Sequence, residues 1–343
     1  MTIGIIGNFG DNQNLYNGQT IKTKTVIKAL KEKYPQYEIV CADTNRKKNS
    51  KHRIIKNIIK VLFSTDLVIL MVADYAIKYL SVVSYIIIKI RRKHIFYILI
   101  GGWLGKYVEQ NKIAGLALKK YDIIFSETQV TMNELKRVGF KNVCKLDNCK
   151  FLKQIEKIKE DTSDLKLCIV SRIVKEKGIE DAIVAVKKSA ANRSEYIQLD
   201  IYGEIAQEYE SEFFNLIKNN LEFATYCGKL EYNMCPQIIS KYDALLFPTK
   251  VLTEGIPGTV IDAMFAGTPV IASYWNSFNE IIVDGINGIG YENGVDGLVN
   301  ILSEEPIKEK LKKMRKNCTQ YSYKYMPNIA LIPLFTAIDK LEK

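Results

Sequence analysis

The sequence predicts an α/β protein of two doubly wound, Rossmann-like domains that face each other across a cleft. Short apolar runs alternate along the chain with amphipathic stretches, which is the pattern of parallel strands covered by helices. The alternation stops in one polar, charge-rich stretch and then starts again, so the pattern occurs twice. The length of 343 residues agrees with this division, because a domain usually has about 100 to 200 residues.

The first block contains five predicted strands separated by helical patterns. Each strand is a short, mainly apolar run. We predict these strands at residues 2–6, 37–42, 67–72, 95–100 and 122–125. The spacing of apolar residues between them predicts helices, for example at 21–30, 77–94 and 106–119.

The second block follows the polar stretch 153–164, which we interpret as a linker. Its predicted strands are 166–171, 198–202, 244–247 and 269–272. A charged helix is predicted at 304–316, and the aromatic and apolar end of the chain is predicted to form a docking helix. We therefore expect a first domain at 1–158 and a second at 159–321. Periodicity leaves open whether the last helix, about 322–343, packs on the second domain or returns to the first.

Composition excludes several classes of protein. With 47% apolar and 25% charged residues, the chain is neither disordered nor collagen-like. His52 and His94 are the only histidines, which leaves almost no material for a His-rich metal site or a Ser–His relay. The seven cysteines are odd in number and contain no C-x-x-C pair, which favours reduced thiols and a cytoplasmic protein. No apolar run approaches the ~20 residues of a membrane-spanning helix.

A glycine-rich loop leads into a predicted helix between residues 253 and 271. Pro257 suits the first turn of this helix and Gly267 its C-terminal end. Free backbone N–H groups at Gly258 and Thr259, together with the helix dipole, would favour a bound phosphate.

Two carboxylates belong to the same stretch. Glu254 precedes the helix and Asp262 lies inside it, eight positions later. They could flank one bound molecule and accept hydrogen bonds from sugar hydroxyls. The alternative is that Glu254 is a surface loop residue and Asp262 a solvated helix residue, and spacing alone does not decide between the two.

Two cations follow the first strand of the second block. In doubly wound folds, ligands bind beyond the carboxyl ends of the strands, which is where Arg172 and Lys177 lie. The planar fork of an Arg and the point charge of a Lys together suit a diphosphate. The alternative is an ordinary basic turn between strand and helix.

These segments together resemble the retaining family-4 glycosyltransferases of the GT-B architecture. The resemblance rests mainly on Glu254-x7-Asp262 with Ala263-Met264-x-Ala266-Gly267-x-Pro269-Val270-Ile271, and on Ser171-Arg172-x4-Lys177-Gly178. Further matches are Glu280-x4-Gly285-x-Asn287-Gly288, residues 126–140 followed by Asp147-Asn148, and Asn17-Gly18-Gln19-Thr20. The match covers most of the chain and is loose over the first 120 residues.

The resemblance implies a role for each matching residue. Arg172 and Lys177 would bind the diphosphate and stabilise the leaving nucleotide, helped by backbone N–H groups of Gly258, Thr259 and Gly18.

The two carboxylates would hold the sugars of the donor. Glu254 would contact the hydroxyls of the transferred sugar, and Asp262 would hold the ribose hydroxyls. The family usually has Glu at the second position, and because Asp262 is one methylene shorter, its ribose contact would need a water molecule or a closer backbone.

The reaction implied by the resemblance is transfer of a sugar, with retained configuration, from a nucleotide-sugar donor to a glycan or a lipid-diphosphate-linked acceptor in polysaccharide assembly. The first domain would serve the acceptor and the second the donor. The family needs no metal ion and no cofactor, since the nucleotide sugar is a substrate. The absence of any Asp-x-Asp tripeptide from the sequence agrees with this expectation.

The basic residues are concentrated in the first half of the chain. Residues 1–160 contain 29 Lys and Arg against 13 Asp and Glu, a net charge of +16, whereas residues 161–343 have a net charge of −5. Such an asymmetry suggests an anionic surface as a partner. The helix at 77–94 combines apolar residues with a basic end, and it could rest on the inner face of the cell membrane. The alternative is a core helix with a basic end.

Two rival functions remain at this stage. A GT-B sugar-nucleotide epimerase would bind the same donor, but it would need His and further carboxylates near the sugar. A nucleic-acid-binding protein could use the basic half, with a steep salt dependence. The aromatic residues of that half lie among apolar runs rather than in basic stripes, so no nucleic-acid partner is expected.

Overall fold

The computed structural model describes residues 1–10, 18–45, 49–72, 74–153, 155, 164–193 and 195–342. The chain forms two compact units: Met1–Phe151 with Tyr325–Lys343, and Leu152–Lys324. The expected boundary after residue 158, and most of the expected linker, lie outside the described residues.

Twelve strands lie among the described residues, and most of them follow short apolar runs of the sequence. The strands are β1 (Thr2–Gly7), β2 (Glu38–Asp43), β3 (Leu67–Met71), β4 (His94–Ile98), β5 (Ile123–Ser126), β6 (Val143–Lys145), β7 (Leu165–Val170), β8 (Ile197–Tyr202), β9 (Ala224–Tyr226), β10 (Ala244–Phe247), β11 (Val270–Ser273) and β12 (Gly288–Tyr291).

Helices connect these strands. The helices are α1 (Gly18–Lys33), α2 (Lys51–Ser64), α3 (Asp74–Arg91), α4 (Leu104–Gln110), α5 (Lys112–Leu118), α6 (Gln129–Arg137), α7 (Ile179–Ala190), α8 (Glu210–Lys218), α9 (Cys235–Ile239), α10 (Gly258–Phe265), α11 (Gly294–Leu302), α12 (Ile307–Ser322), α13 (Pro327–Ala330) and α14 (Ile332–Asp339). Among the described residues, no helix is both long enough and apolar enough to cross a bilayer.

The first unit is built on a parallel sheet in the order β2-β1-β3-β4-β5-β6. Gly7 pairs with both Asp43 and Met71, so the carboxyl ends of β1, β2 and β3 lie at the same edge. Separate apolar clusters cover the two faces of the sheet. One contains residues of α1, α13 and α14, and the other contains residues of α2, α3, α4 and α5.

The end of the chain belongs to the first unit. Leu334 and Ile338 of α14 are completely buried in the cluster that also contains residues of α1. The Tyr34 hydroxyl donates hydrogen bonds to the Phe335 carbonyl at 3.1 Å and to Asp339 at 2.7 Å. Apolar packing and these polar contacts together hold the last helix in place.

The second unit contains a parallel sheet in the order β12-β11-β10-β7-β8-β9. Leu245 of β10 pairs with Cys168 of β7, which places these two strands at the centre of the sheet. Residues of α7, α8, α11 and α12 join the strands in one apolar cluster. The predicted α/β class with two doubly wound sheets is confirmed.

Some elements differ from their predictions for local reasons. The strands β6, β9 and β12 were not predicted, because two have only three residues and Gly288 and Gly290 make the third resemble a turn. The helix predicted at 106–119 is two helices that meet at Asn111, whose ψ of 68° is not helical. The helix predicted from residue 304 begins only at Ile307, because the preceding Pro306 lacks an N–H group and disfavours helical geometry before it.

Candidate active site in the second unit

The candidate site lies where the strand order of the second sheet reverses. The chain continues from β7 to β8 on one side and from β10 to β11 on the other. The carboxyl ends of β7 and β10 are therefore neighbours at a topological switch point, which is where doubly wound sheets bind ligands. Of the predicted site residues, two follow β7 and four follow β10, namely Arg172, Lys177, Glu254, Gly258, Thr259 and Asp262.

Lys177 and Glu254 meet across this switch point. The Lys177 Nζ donates a hydrogen bond to Oε1 of Glu254, and the side chains are 23% and 16% exposed, respectively. The Thr249 hydroxyl donates to the same carboxylate oxygen at 3.1 Å. The ammonium lies 5.5 Å from the centre of the Phe247 ring. The contacts with Lys177 and Thr249 therefore fix the Glu254 carboxylate, which is not a free surface group. Both charged side chains are partly exposed, so a ligand could reach them.

Backbone packing after β7 positions Lys177. The residues Lys175–Lys177 form one helical turn that ends at Gly178, whose φ is +67°. A Cβ at Gly178 would lie 1.9 Å from the carbonyl oxygen of Pro248, so only glycine allows the two loops to approach this closely. The Lys250 N–H also donates to the Glu176 carbonyl at 2.8 Å. These contacts fix the loop after β7 against the loop after β10.

The N-terminus of α10 lies in the same group of loops. Its first internal hydrogen bond runs from the Ile261 N–H to the Pro257 carbonyl at 3.2 Å, so helix geometry leaves the N–H groups of Gly258 and Thr259 without internal partners. These groups are at the positive end of the helix dipole. Pro257 is the residue just before the helix rather than in its first turn, and Gly267, with φ +62°, follows its end.

Asp262 lies in α10, as its spacing predicts, and it is only 3% exposed. The alternative of a solvated helix residue is therefore wrong. Asp262 is part of the interior of the second unit, where burial of a carboxyl group is costly unless polar groups satisfy it.

Arg172 and Gly18 occupy more open positions. Arg172 follows β7 and is exposed, in contrast to the paired Lys177. Gly18 is in the first unit, where it begins α1, and an added Cβ there would meet nothing within 4 Å. The Gln19 amide donates to the Met71 carbonyl at 3.1 Å, which attaches the start of α1 to the end of β3. Asn17 of the same predicted loop lies outside the described residues.

Sequence reasoning did not find every polar group at these edges. Thr249, which holds Glu254, has no motif of its own. In the first unit, Lys22 is 1% exposed and Glu127 is 3% exposed, and the Lys22 ammonium donates to the Glu127 carboxylate and to the Leu99 carbonyl. The paired residues are 105 positions apart in the sequence, so no local sequence pattern could predict the contact.

The cysteines form no disulfide bond, and two deeply buried thiols are hard to ionise. All seven cysteines are free thiols. Burial raises the pKa of Cys149 and of Cys318 to about 12. Across the described ranges, no group of three or more His, Cys, Asp and Glu residues is arranged to hold a metal ion.

Comparison with known families and proteins gives matches over both halves of the chain. A family model described as "Glycosyl transferases group 1" matches residues 150–325, just over half of the chain. An uncharacterized glycosyltransferase of Methanocaldococcus jannaschii is 26% identical over 222 residues, which cover 62% of this chain and 54% of the relative. An uncharacterized 41.2 kDa protein in the cps region of Klebsiella pneumoniae is 26% identical over 163 residues, 47% of this chain and 42% of the relative. The chain thus spans about half the length of the curated relatives it matches.

Solved structures match the whole chain at low sequence identity. HepE of Anabaena, crystallised in complex with UDP and glucose, has a TM-score of 0.75 and 15% identity over 99% of this chain and 100% of that one. The lipopolysaccharide outer core galactosyltransferase WaaB in its apo form has a TM-score of 0.69 and 18% identity over 99% of both chains. At such identities the likeness establishes the fold alone, and it confirms the GT-B class predicted from the sequence.

Proposed function

Because the chain belongs to the glycosyl transferases of group 1, we propose that it is a retaining glycosyltransferase of family 4. It would move a sugar from a nucleotide-sugar donor to a glycan or lipid-diphosphate-linked acceptor in polysaccharide assembly. The observation that carries this proposal is the cluster at the switch point of the second sheet. There the Lys177–Glu254 pair and the N-terminus of α10 combine a cation, a carboxylate and free N–H groups.

The donor diphosphate would occupy the cationic part of this cluster. Lys177 offers an accessible ammonium and Arg172 an exposed guanidinium, both after β7. The N–H groups of Gly258 and Thr259 add the positive end of a helix dipole. HepE binds UDP, and we propose a uridine diphosphate sugar as the donor of this chain.

Donor binding would also change the partner of Glu254. The Lys177 ammonium is paired with the Glu254 carboxylate. A diphosphate carries more negative charge than a carboxylate, so it would draw the ammonium towards itself. Glu254, still held by the Thr249 hydroxyl, would then accept hydrogen bonds from the hydroxyls of the transferred sugar. We assign the ribose of the nucleotide to the side of Asp262.

Catalysis would consist mainly of stabilising the leaving group. When the bond between sugar and diphosphate breaks, negative charge develops on the departing phosphate. Arg172, Lys177 and the α10 dipole would be in place before the reaction begins, and such preorganised groups usually make the largest electrostatic contribution to catalysis. We propose that these groups make a metal ion unnecessary. The acceptor hydroxyl would attack from the face that the leaving group departs from, which retains the configuration.

Ligand-dependent stability tests the donor site. We expect UDP-sugars to raise the melting temperature of the chain more than GDP- or dTDP-sugars, because a ligand at about 100 times its Kd adds about 2.7 kcal/mol to the free energy of unfolding. Lys177→Met and Arg172→Ala should each weaken UDP binding and affect UMP binding less. Lys175→Met, with an exposed lysine in the same turn, is the control. If UDP binds both variants as well as it binds the control, the assigned diphosphate site is wrong.

Glu254→Gln tests the catalytic assignment with an almost unchanged side-chain shape. We expect transfer to fall on the order of 100-fold or more, as when a preorganised transition-state contact is removed, while the fold is kept. Glu176→Gln changes an exposed carboxylate of the adjoining loop and should leave transfer unchanged. NMR of the product reports the anomeric configuration, and an inverted product would contradict the retaining mechanism. Full transfer by Glu254→Gln would contradict the site.

A further inference from the structure

Three neighbouring helices of the first unit share an exposed apolar surface. The helices α2, α3 and α5 cover the same face of the sheet and contribute buried residues to the same cluster, with α3 in contact with both α2 and α5. Their opposite sides are exposed. We define the apolar face as Ile55, Ile59, Phe63, Tyr79, Val83, Ile86, Ile90, Ile113 and Leu116. These are nine of the nineteen large apolar side chains exposed among the described residues.

The spacing of the apolar face is helical. On α3, Tyr79, Val83, Ile86 and Ile90 follow one another at steps of four, three and four residues, and they are between 45% and 75% exposed. Such residues lie on one side of a helix. The sheet already covers the opposite side of α3, which includes the buried Ile77 and Ile88. The exposed stripe is therefore not required by the core of this unit, and extended apolar patches on soluble proteins usually mark an interaction site.

Exposed basic residues lie on the same three helices as the apolar face. Exposed lysines and arginines on these helices are Lys51, Arg53, Lys56, Lys60, Lys78, Lys89, Arg91 and Lys112. The Arg91 guanidinium lies 5.7 Å from the centre of the Phe63 ring, so charged and apolar groups adjoin each other where α2 and α3 end. Between residues 49 and 93 the sequence contains nine Lys and Arg against two Asp, and one of these, Asp66, pairs with Lys93.

We propose that the apolar face binds the surface of an anionic lipid bilayer. The aliphatic and aromatic side chains would enter the boundary between headgroups and acyl chains, and the Lys and Arg of the same helices would contact lipid phosphates. Charge complementarity selects this occupant. A second copy of the chain on the same surface would bring two sets of basic residues together, and a neutral surface would leave the basic residues without partners. The proposal extends the proposed transferase, since it would place the enzyme at a membrane where a lipid-linked acceptor resides.

Sedimentation with vesicles tests the proposal on the full chain. We expect binding to phosphatidylcholine vesicles that contain phosphatidylglycerol and none to phosphatidylcholine alone. Raising the salt from about 0.1 M to about 1 M should weaken binding, because the Debye length falls from about 10 Å to about 3 Å. The triple variant Lys56→Gln, Lys60→Gln, Lys89→Gln should weaken binding on the order of 100-fold, since each charge contributes about fivefold. Ile86→Ser with Ile90→Ser should weaken it more than about tenfold.

Matched variants of the second unit serve as controls. Lys187→Gln, Lys218→Gln and Lys313→Gln remove the same charge from other exposed positions, and Leu221→Ser removes an apolar side chain that is 68% exposed. These variants should bind vesicles almost as the parent does, and all variants should keep their affinity for UDP.

Four results would overturn the proposal. The first is equal binding to neutral and anionic vesicles, and the second is no binding to either. The third is equal weakening of binding by the control variants. The fourth is a dimer in analytical ultracentrifugation that Ile86→Ser with Ile90→Ser dissociates, which would assign the apolar face to a second copy of the chain. UDP affinity reports separately on the donor site, so failure here and failure of the proposed transferase are distinguishable.

Discussion

At the scale of single residues, Lys22 and Glu127 bring two full charges into the interior of the first unit. Their side chains are 2% and 4% exposed, and their charged groups are in direct contact. The Glu127 carboxylate also accepts from the Gly101 N–H at 3.4 Å, and the Lys22 ammonium donates to the Leu99 carbonyl at 3.2 Å. The pair therefore joins α1 to the loops after β4 and β5. Because both groups are shielded from water, each charge depends on the other for its stabilisation.

Removing one partner should be much more harmful than removing both. Lys22→Met leaves a buried carboxylate without its cation, and we expect a loss of about 3 to 5 kcal/mol in the free energy of unfolding. The double variant Lys22→Met, Glu127→Gln leaves no uncompensated charge, and it should recover most of this loss. Urea denaturation of the parent, both single variants and the double variant measures the coupling. A double variant that loses the sum of the two single losses would show that the charges act independently.

The sequence could predict which charged residues lie at the proposed donor site but not which of them are in contact. Arg172, Lys177, Glu254 and Asp262 were identified because strand ends and helix starts are visible as local patterns. The contact between Lys177 and Glu254 joins positions 77 residues apart, and only the strand order makes them neighbours. Lys22 falls in a predicted amphipathic helix, where a lysine is normally solvated, and its burial depends on a distant partner.

At the scale of elements, the single turn after β7 requires a glycine where it ends. Gly178 has a left-handed φ of +67°, and its Cα faces the carbonyl of Pro248. Gly228 has a similar φ of +84°, but an added Cβ there meets nothing within 4 Å. Substitutions at the two glycines can therefore be compared. Both include the free-energy cost of a left-handed backbone in a non-glycine residue, and only the one at Gly178 adds the cost of a steric clash.

Gly178→Ala should destabilise the second unit more than Gly228→Ala does. The left-handed conformation costs a non-glycine residue about 1 to 2 kcal/mol, and both variants share this cost. Only Gly178→Ala adds the clash with Pro248, which must be relieved by moving the turn that carries Lys177. We expect a further loss of about 1 to 3 kcal/mol and weaker UDP binding. Thermal unfolding with and without UDP checks both effects, and equal losses in the two variants would contradict the close approach.

Long apolar strands could be predicted because a strand buried on both faces is apolar almost throughout. This pattern is clear in β3, which is completely buried, and in β10. It fails for β12, where Gly288 and Gly290 replace apolar side chains. Gly288 accepts no larger residue, since an added Cβ would lie 2.5 Å from the Val270 carbonyl oxygen. Close packing against the neighbouring strand therefore requires glycine at this position, although local sequence rules associate glycine with turns.

At the scale of the whole molecule, the aromatic and apolar composition at the end of the chain predicted a docking helix but not the surface that covers it. A helical pattern predicts that one side of a helix is buried, but it does not predict which other element covers that side. The structure places Leu331, Leu334 and Ile338 in the core of the first unit with Leu30 of α1. The first unit is thus assembled from the beginning and the end of the chain, and its stability depends on residues that follow the second unit in sequence.

Truncation after Lys324 should unfold the first unit. It removes seven buried apolar side chains, namely Tyr325, Ala330, Leu331, Leu334, Phe335, Ala337 and Ile338. Full burial of a large apolar side chain contributes about 1.5 to 3 kcal/mol, and a domain has a net stability of only about 5 to 15 kcal/mol. Limited proteolysis should then cut the first unit rapidly and leave fragments of the second. A truncated chain that keeps β1 to β6 protected in hydrogen exchange would show that the C-terminal helices are dispensable.

A pair of point variants tests the same dependence without removing the segment. Leu334 is completely buried in α14, whereas Ile332 in the same helix is 53% exposed. Leu334→Ala should therefore cost about 2 to 5 kcal/mol, and Ile332→Ala should stay within about 1 kcal/mol because little of its surface leaves water on folding. Hydrogen exchange in β1 and β3 reports the first unit alone, so faster exchange there in Leu334→Ala and not in Ile332→Ala locates the effect. Equal exchange in both variants would contradict the packing of α14 on this sheet.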